Sequence, residues 1–142
     1  MHTRGTRTFC SVASSCRHRS PNGSTAGRTI ATRIADPALS VHVPHRADIE
    51  VTQALRRYAN DGDLDAADAA IALEDLRSLD LERHAHEPLL DRVWALRQNL
   101  SAYDAVYVAL AEGLDTVLLT CDGRLARAPG VAHRVELVKP TN

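Results

Sequence analysis

From residue 28 onward the chain alternates two hydrophobic periods, and this alternation limits the fold more than any other feature. "LSVHVP" (39–44) alternates Leu39, Val41 and Val43 and stops at Pro44, which reads as a short strand. "HRADIEVTQALRRYANDG" then puts Val51, Ala54, Leu55 and Tyr58 at i, i+3, i+4, i+7, an amphipathic helix closed by Gly62. "DLDAADAAIALEDLRSL" carries Ala69, Ala72, Leu73 and Leu76 on one stripe, and "LDLERH" is a weak strand through Leu79 and Leu81. "EPLLDRVWALRQ" has Pro88 in a favoured first-turn position and Leu89, Val93 and Leu96 on one face. A helix in "SAYDAVYVALAEGL", a strand in "TVLLT", a helical turn in "GRLAR" and a last strand in "RVELV" complete the series. A short helix in "RTIATRIAD" precedes it all and stops at Asp36-Pro37, because a residue before proline avoids helical geometry. Helices alternating with short apolar strands predict an α/β fold with a mainly parallel sheet. The alternation begins with a helix, so a first strand is missing from the pattern.

At 142 residues the chain is one domain in size, with 44% hydrophobic and 25% charged residues, as in an ordinary globular protein. A formal net charge of -1 excludes a global pull toward nucleic acid, so any such site is a local basic patch. Lys139 is the only lysine, and this arginine-heavy usage points to a GC-rich, bacterial genome. Cys10, Cys16 and Cys121 have neither zinc spacing nor a disulfide framework, which fits a reducing cytoplasm. No apolar run is long enough to span a membrane.

Residues 1–27 differ from the rest. They are rich in Arg, Ser and Thr, lack hydrophobic periodicity, and contain no acid; the first in the chain is Asp36. The stretch reads as a disordered basic tail, a transit-type leader, or a segment foreign to the domain through a shifted frame or misassigned start. The domain proper is expected over residues 28–142.

Three acids stand out in the domain. Ser101 and Asp104 form a Ser-x-x-acid capping box at a helix start, where negative charge also suits the helix dipole. A helix of about twelve residues is about 18 Å long, and six residues of strand return about 20 Å. Asp122, just past "TVLLT", is therefore expected level with Asp104. Glu50 lies in the first turns of the helix after "LSVHV" and flanks its apolar stripe. In a parallel sheet all three face the carboxyl edge, where open α/β sheets carry their sites. Each acid alone has a plainer reading: a cap for Asp104, an Asp-Gly turn for Asp122, a surface charge for Glu50. Together they repel by about 4 kcal/mol per pair at 4 Å near a surface, which a divalent cation relieves. Mg²⁺ takes oxygen ligands and is often completed by substrate phosphate, a combination suited to attack of water on a phosphodiester.

"SAYDAVYVALAEGL…TVLLTCDGRLA" closely resembles the C-terminal half of PIN domains of the VapC type, the toxin ribonucleases of bacterial type II toxin–antitoxin pairs. "VHVPHRADIEVTQALRR" resembles their central strand and helix, and the likeness spans roughly residues 28 to 138. It implies a PIN-like parallel sheet flanked by helices, with Glu50, Asp104 and Asp122 in the active site, Asp104 and Asp122 as metal ligands, and Thr120 and Arg124 on the substrate side. It further implies dependence on Mg²⁺ or Mn²⁺, RNA cleavage, homodimers, and inhibition by a small VapB-type antitoxin. The family also begins with an apolar strand carrying an aspartate that binds metal. Here no such strand or acid is legible, so the first strand is expected to be lost or replaced. The alternative function is therefore a degenerate PIN domain that binds an antitoxin or RNA without cleaving. A third possibility is an unrelated α/β binding module whose acids are only helix caps.

Other candidates are weaker. His84 and His86 lie two apart without a third ligand at useful spacing, and read as solvent-exposed histidines. Trp94, Tyr103 and Tyr107 are expected in the core, and Cys121 as a small buried hydrophobe. Arg56, Arg57, Arg97, Arg124 and Arg127 are candidates for RNA phosphates.

Overall fold

The computed structural model describes the backbone of residues 5–9, residue 29, and residues 32–139. Its strands are β1 (Gly5–Phe9), β2 (Leu39–Pro44), β3 (Leu81–His84), β4 (Val117–Thr120) and β5 (Val135–Leu137). Beyond residue 45 the α-helices are α1 (Arg46–Asp61), α2 (Ala66–Ser78), α3 (Leu90–Ala95), α4 (Ala102–Gly113) and the single turn α5 (Gly123–Ala126), and residues 32–34 before β2 are helical too. All the strand pairs are parallel, in the order β3-β2-β1-β4-β5. Order reverses between β1 and β4, and the crevice beyond the carboxyl ends of those strands is where such sheets take ligands.

Local chemistry explains most boundaries. Gly62, with φ of 78°, ends α1 in the left-handed conformation that glycine adopts without cost. The Asp65 side chain caps α2 by accepting from the Ala67 amide. The stripes of α1 and α2 (Val51, Ala54, Leu55, Tyr58; Ala69, Ala72, Leu73, Leu76) are half-buried throughout. Pro88 opens a 3₁₀ turn over Glu87–Leu89 rather than an α-helix, so α3 is only six residues long.

The core centres on α4, in which every residue from Ala105 to Ala111 is buried. A helix buried on all sides must be covered by neighbours. Val93 from α3, Leu96 just past its end, Leu118 from β4, and Leu125, Ala128 and Val131 beyond it join the same cluster. Leu119, the residue after Leu118, packs instead with Val138, Ile34 and Cys121. Successive strand residues point to opposite faces, so the sheet is covered on both sides.

Two expectations need correction. The first strand is present: Gly5–Phe9, inside the segment expected not to fold, lies between β2 and β4 at the centre of the sheet. "GTRTF" lacks apolar alternation, but a strand with two neighbours is fixed largely by tertiary context and by backbone groups that need partners. The strand is thus replaced rather than lost, by a sequence without a carboxylate. Residues 1–4 and 10–27, Cys10 and Cys16 among them, lie outside the described residues. The aromatic residues also divide: Tyr107 is fully buried, whereas Trp94 and Tyr103 are 68% and 63% exposed.

Candidate active site

Glu50 is the most constrained of the three acids. Its side chain is only 12% exposed, and both carboxylate oxygens have partners. Oε1 is ion-paired with Arg46 one turn earlier, and Oε2 accepts a 2.6 Å hydrogen bond from the Tyr107 hydroxyl. The Arg46 guanidinium also lies 3.9 Å from the centroid of the Tyr103 ring. Arg46 and Glu50 of α1 are thereby joined to Tyr103 and Tyr107 of α4. Tyr103 thus has a contact that the sequence did not suggest: a face for a cation to lie on.

Asp104 lies on the same helix, three residues before Tyr107, so the two side chains share a face. Ser101 caps α4 by accepting from the Asp104 amide at 3.1 Å. Its hydroxyl donates to Asp104 Oδ2 at 2.9 Å. The predicted capping box is therefore altered: the acid engages the serine hydroxyl, and this fixes the carboxylate at the carboxyl edge of the sheet.

Asp122 sits in the turn after β4. Its side chain accepts from the Arg124 amide at 2.8 Å and caps α5. Its own amide donates to Thr120 Oγ1 at 2.9 Å. Thr120 is fully buried, so its hydroxyl shapes this turn, while Arg124 is 90% exposed and stands 3.6 Å from Asp122 Oδ2.

The structure thus brings Glu50 onto the Asp104-bearing helix and puts Asp122 beside the β1–β4 crevice. Oxygen-only donors suit a hard cation such as Mg²⁺, which commonly uses one or two carboxylates together with water and substrate phosphate. Among the described residues the carboxylates of Glu50, Asp104 and Asp122 do not all come within 4.8 Å of one another, so the close three-acid cluster expected from the sequence is not formed. Glu50 is engaged by Arg46 and Tyr107, and β1 contributes no acid.

Sequence reasoning missed a second cluster. Among the described residues, one group of three His, Cys, Asp or Glu side chains has its ligand atoms all within 4.8 Å: His42, Glu82 and His84. His84 does have further ligands nearby, but they come from across the sheet, from β2 and from its own strand. Strand register was the missing information, since His42 is the Cα partner of Glu82. Burial holds the His42 imidazole below the ordinary histidine range; Glu82 pulls it up and His84 adds to the depression. His86 is used differently, its Nε2 accepting the Arg46 amide at 3.0 Å at the start of α1.

Residues 18–131 match the family model of the PIN domain. Ribonuclease VapC9 of Mycobacterium tuberculosis (strain ATCC 25618 / H37Rv) is 49% identical over 86 residues, covering 61% of this chain and 68% of its own length. Ribonuclease VapC1 of the same strain is 44% identical over 99 residues, 69% of this chain and 74% of that protein. Ribonuclease VapC3 is 41% identical over 111 residues, 78% and 81% of the two chains.

Proposed function

Since the chain belongs to the PIN-domain family, in its VapC branch, we propose that it is a metal-dependent endoribonuclease, the cytoplasmic toxin of a type II toxin–antitoxin pair. Its substrate is RNA, its metal Mg²⁺ or Mn²⁺, and its partners a VapB-type antitoxin and a second copy of itself. One contact supports this most: the Tyr107–Glu50 hydrogen bond, which holds an acid of α1 against the helix that carries Asp104.

Asp104 and Asp122 would hold the cation, each carboxylate preset by a hydrogen bond at a helix start. When bound, a divalent cation activates water and offsets phosphate charge. Glu50, on the neighbouring helix, is held by Arg46 and Tyr107. Arg124, exposed beside Asp122, meets an RNA phosphate. Thr120 is a positioning residue that acts through the Asp122 turn.

Cleavage of a structured RNA by the purified chain, with and without chelator, tests this reading. Asp104→Asn keeps an acceptor for the Ser101 hydroxyl, so folding should survive while activity falls about 100-fold or more. Unchanged cleavage by the variant would reduce Asp104 to a helix cap.

A second reading rests on the acid-free β1: a degenerate domain that binds RNA or antitoxin without cleaving. It requires a folded, RNA-binding chain with no metal-dependent cleavage. In that case Thr8→Asp, which returns a carboxylate to the strand between β2 and β4, should restore activity.

A further inference from the structure

We propose that His42, Glu82 and His84 form a binding site for a first-row divalent transition metal, Zn²⁺ above all, that clamps edge strand β3 to β2. This site shares no residue with the carboxylate site and takes a different class of metal.

Register brings the three residues together. His42 and Glu82 are Cα partners, and His84, two residues beyond Glu82, shares its face of β3. His42 Nδ1 lies 2.9 Å from His84 Nε2 and 3.6 Å from Glu82 Oε2. Two imidazole nitrogens about 2.05 Å from one metal ion sit about 2.9 Å apart at a right angle and about 3.3 Å apart at the tetrahedral angle. The His42–His84 separation lies at the short end of this range and the His42–Glu82 separation a few tenths of an ångström beyond it, with all three ligand atoms within 4.8 Å of one another.

The donor set selects the metal. Two imidazoles and one carboxylate suit zinc and its first-row neighbours, whereas Mg²⁺ and Ca²⁺ prefer oxygen alone. Three protein ligands leave one position for water, as in open zinc sites. A metal-bound histidine normally donates its other ring N–H to a fixed acceptor. Ser40 Oγ stands 3.1 Å from His42 Nε2 and supplies that acceptor. Burial supports the assignment: His42 is 6% exposed, and Glu82 stands at the solvent edge where an ion enters.

Calorimetric titration of the full chain with ZnCl₂, in buffer containing excess Mg²⁺, tests the proposal. One Zn²⁺ per chain should bind with micromolar affinity or tighter, and saturation should raise the Tm by on the order of 5–10 °C. Glu82→Gln and His84→Gln replace residues outside the fully buried core, and each should weaken binding about 100-fold without lowering the metal-free Tm. Ser40→Ala should weaken it about tenfold through the lost second hydrogen bond. Asp104→Asn should bind Zn²⁺ as the parent does. Cys10, Cys16 and His18, outside the described residues, offer a competing set of soft donors in the sequence. If Cys10→Ser/Cys16→Ser/His18→Gln abolishes binding while His84→Gln retains it, the proposal is overturned. Absence of a saturable site in the parent chain overturns it equally.

Discussion

Tyr107 shows how much a single hydroxyl can decide. The phenol is fully buried in α4, and its oxygen holds a carboxylate fifty-seven positions earlier in the chain, on α1. Tyr107→Phe keeps the ring but leaves Glu50 short of a donor in a site that water scarcely reaches. Hydrogen bonds to charged groups contribute about 1.5–3 kcal/mol, so the urea midpoint should fall by a corresponding amount. An unchanged midpoint would show that Arg46 alone satisfies Glu50. The sequence was informative at this scale where chemistry is local: Ser101 and Asp104, and Asp122 before Gly123, announce caps by spacing alone. It was uninformative where partners lie far apart in the chain. Trp94, Tyr103 and Tyr107 all occupy helical positions, and only packing shows that one is buried and two are not.

Among the elements, α3 and α4 are joined at their surface by a two-pronged ion pair. Arg92 Nε donates to Glu112 Oε2 at 2.6 Å and Nη2 to Oε1 at 3.0 Å. The Arg92 hydrogen bond holds the Glu112 carboxyl below its ordinary value of 4.5, against burial, with the charges of Arg92, Arg134 and His133 helping. A depressed carboxylate stabilises the fold above its unfolded pKa, and this contribution disappears as pH falls through the folded value. Stability should therefore decline on the acid side of about pH 4.5, and Glu112→Gln should flatten that limb. The amplitude is expected to be at most about 1 kcal/mol, since Arg92 is nearly half exposed. Acid titrations of unfolding free energy with matching slopes for parent and variant would remove the pair from the account. Strands and helices were legible from residue 39 onward because their hydrophobic periods are clean. β1 was not, because "GTRTF" has no period to read and owes its conformation to two neighbouring strands.

For the molecule as a whole, β1 divides the sheet into two halves. Without it, β2–β3 and β4–β5 lose their common neighbour, and the facing edges of β2 and β4 expose unpaired backbone groups. A chain beginning at residue 28 should lose cooperative unfolding and expose apolar surface, seen as dye binding and a lost near-UV circular dichroism signal. A cooperative, native-like truncated chain would show that β1 is dispensable. The all-parallel order has a further consequence, in time rather than space. Thr8 is paired with Leu118, so β1, once it leaves the ribosome, waits for a partner made roughly 110 residues later. At bacterial synthesis rates of about 20 residues per second this is about 5 s during which the N-terminal strand is extruded but its second neighbour does not yet exist. Until then the nascent chain has no complete central sheet. The sheet is therefore completed only when the C-terminal quarter of the chain has been translated.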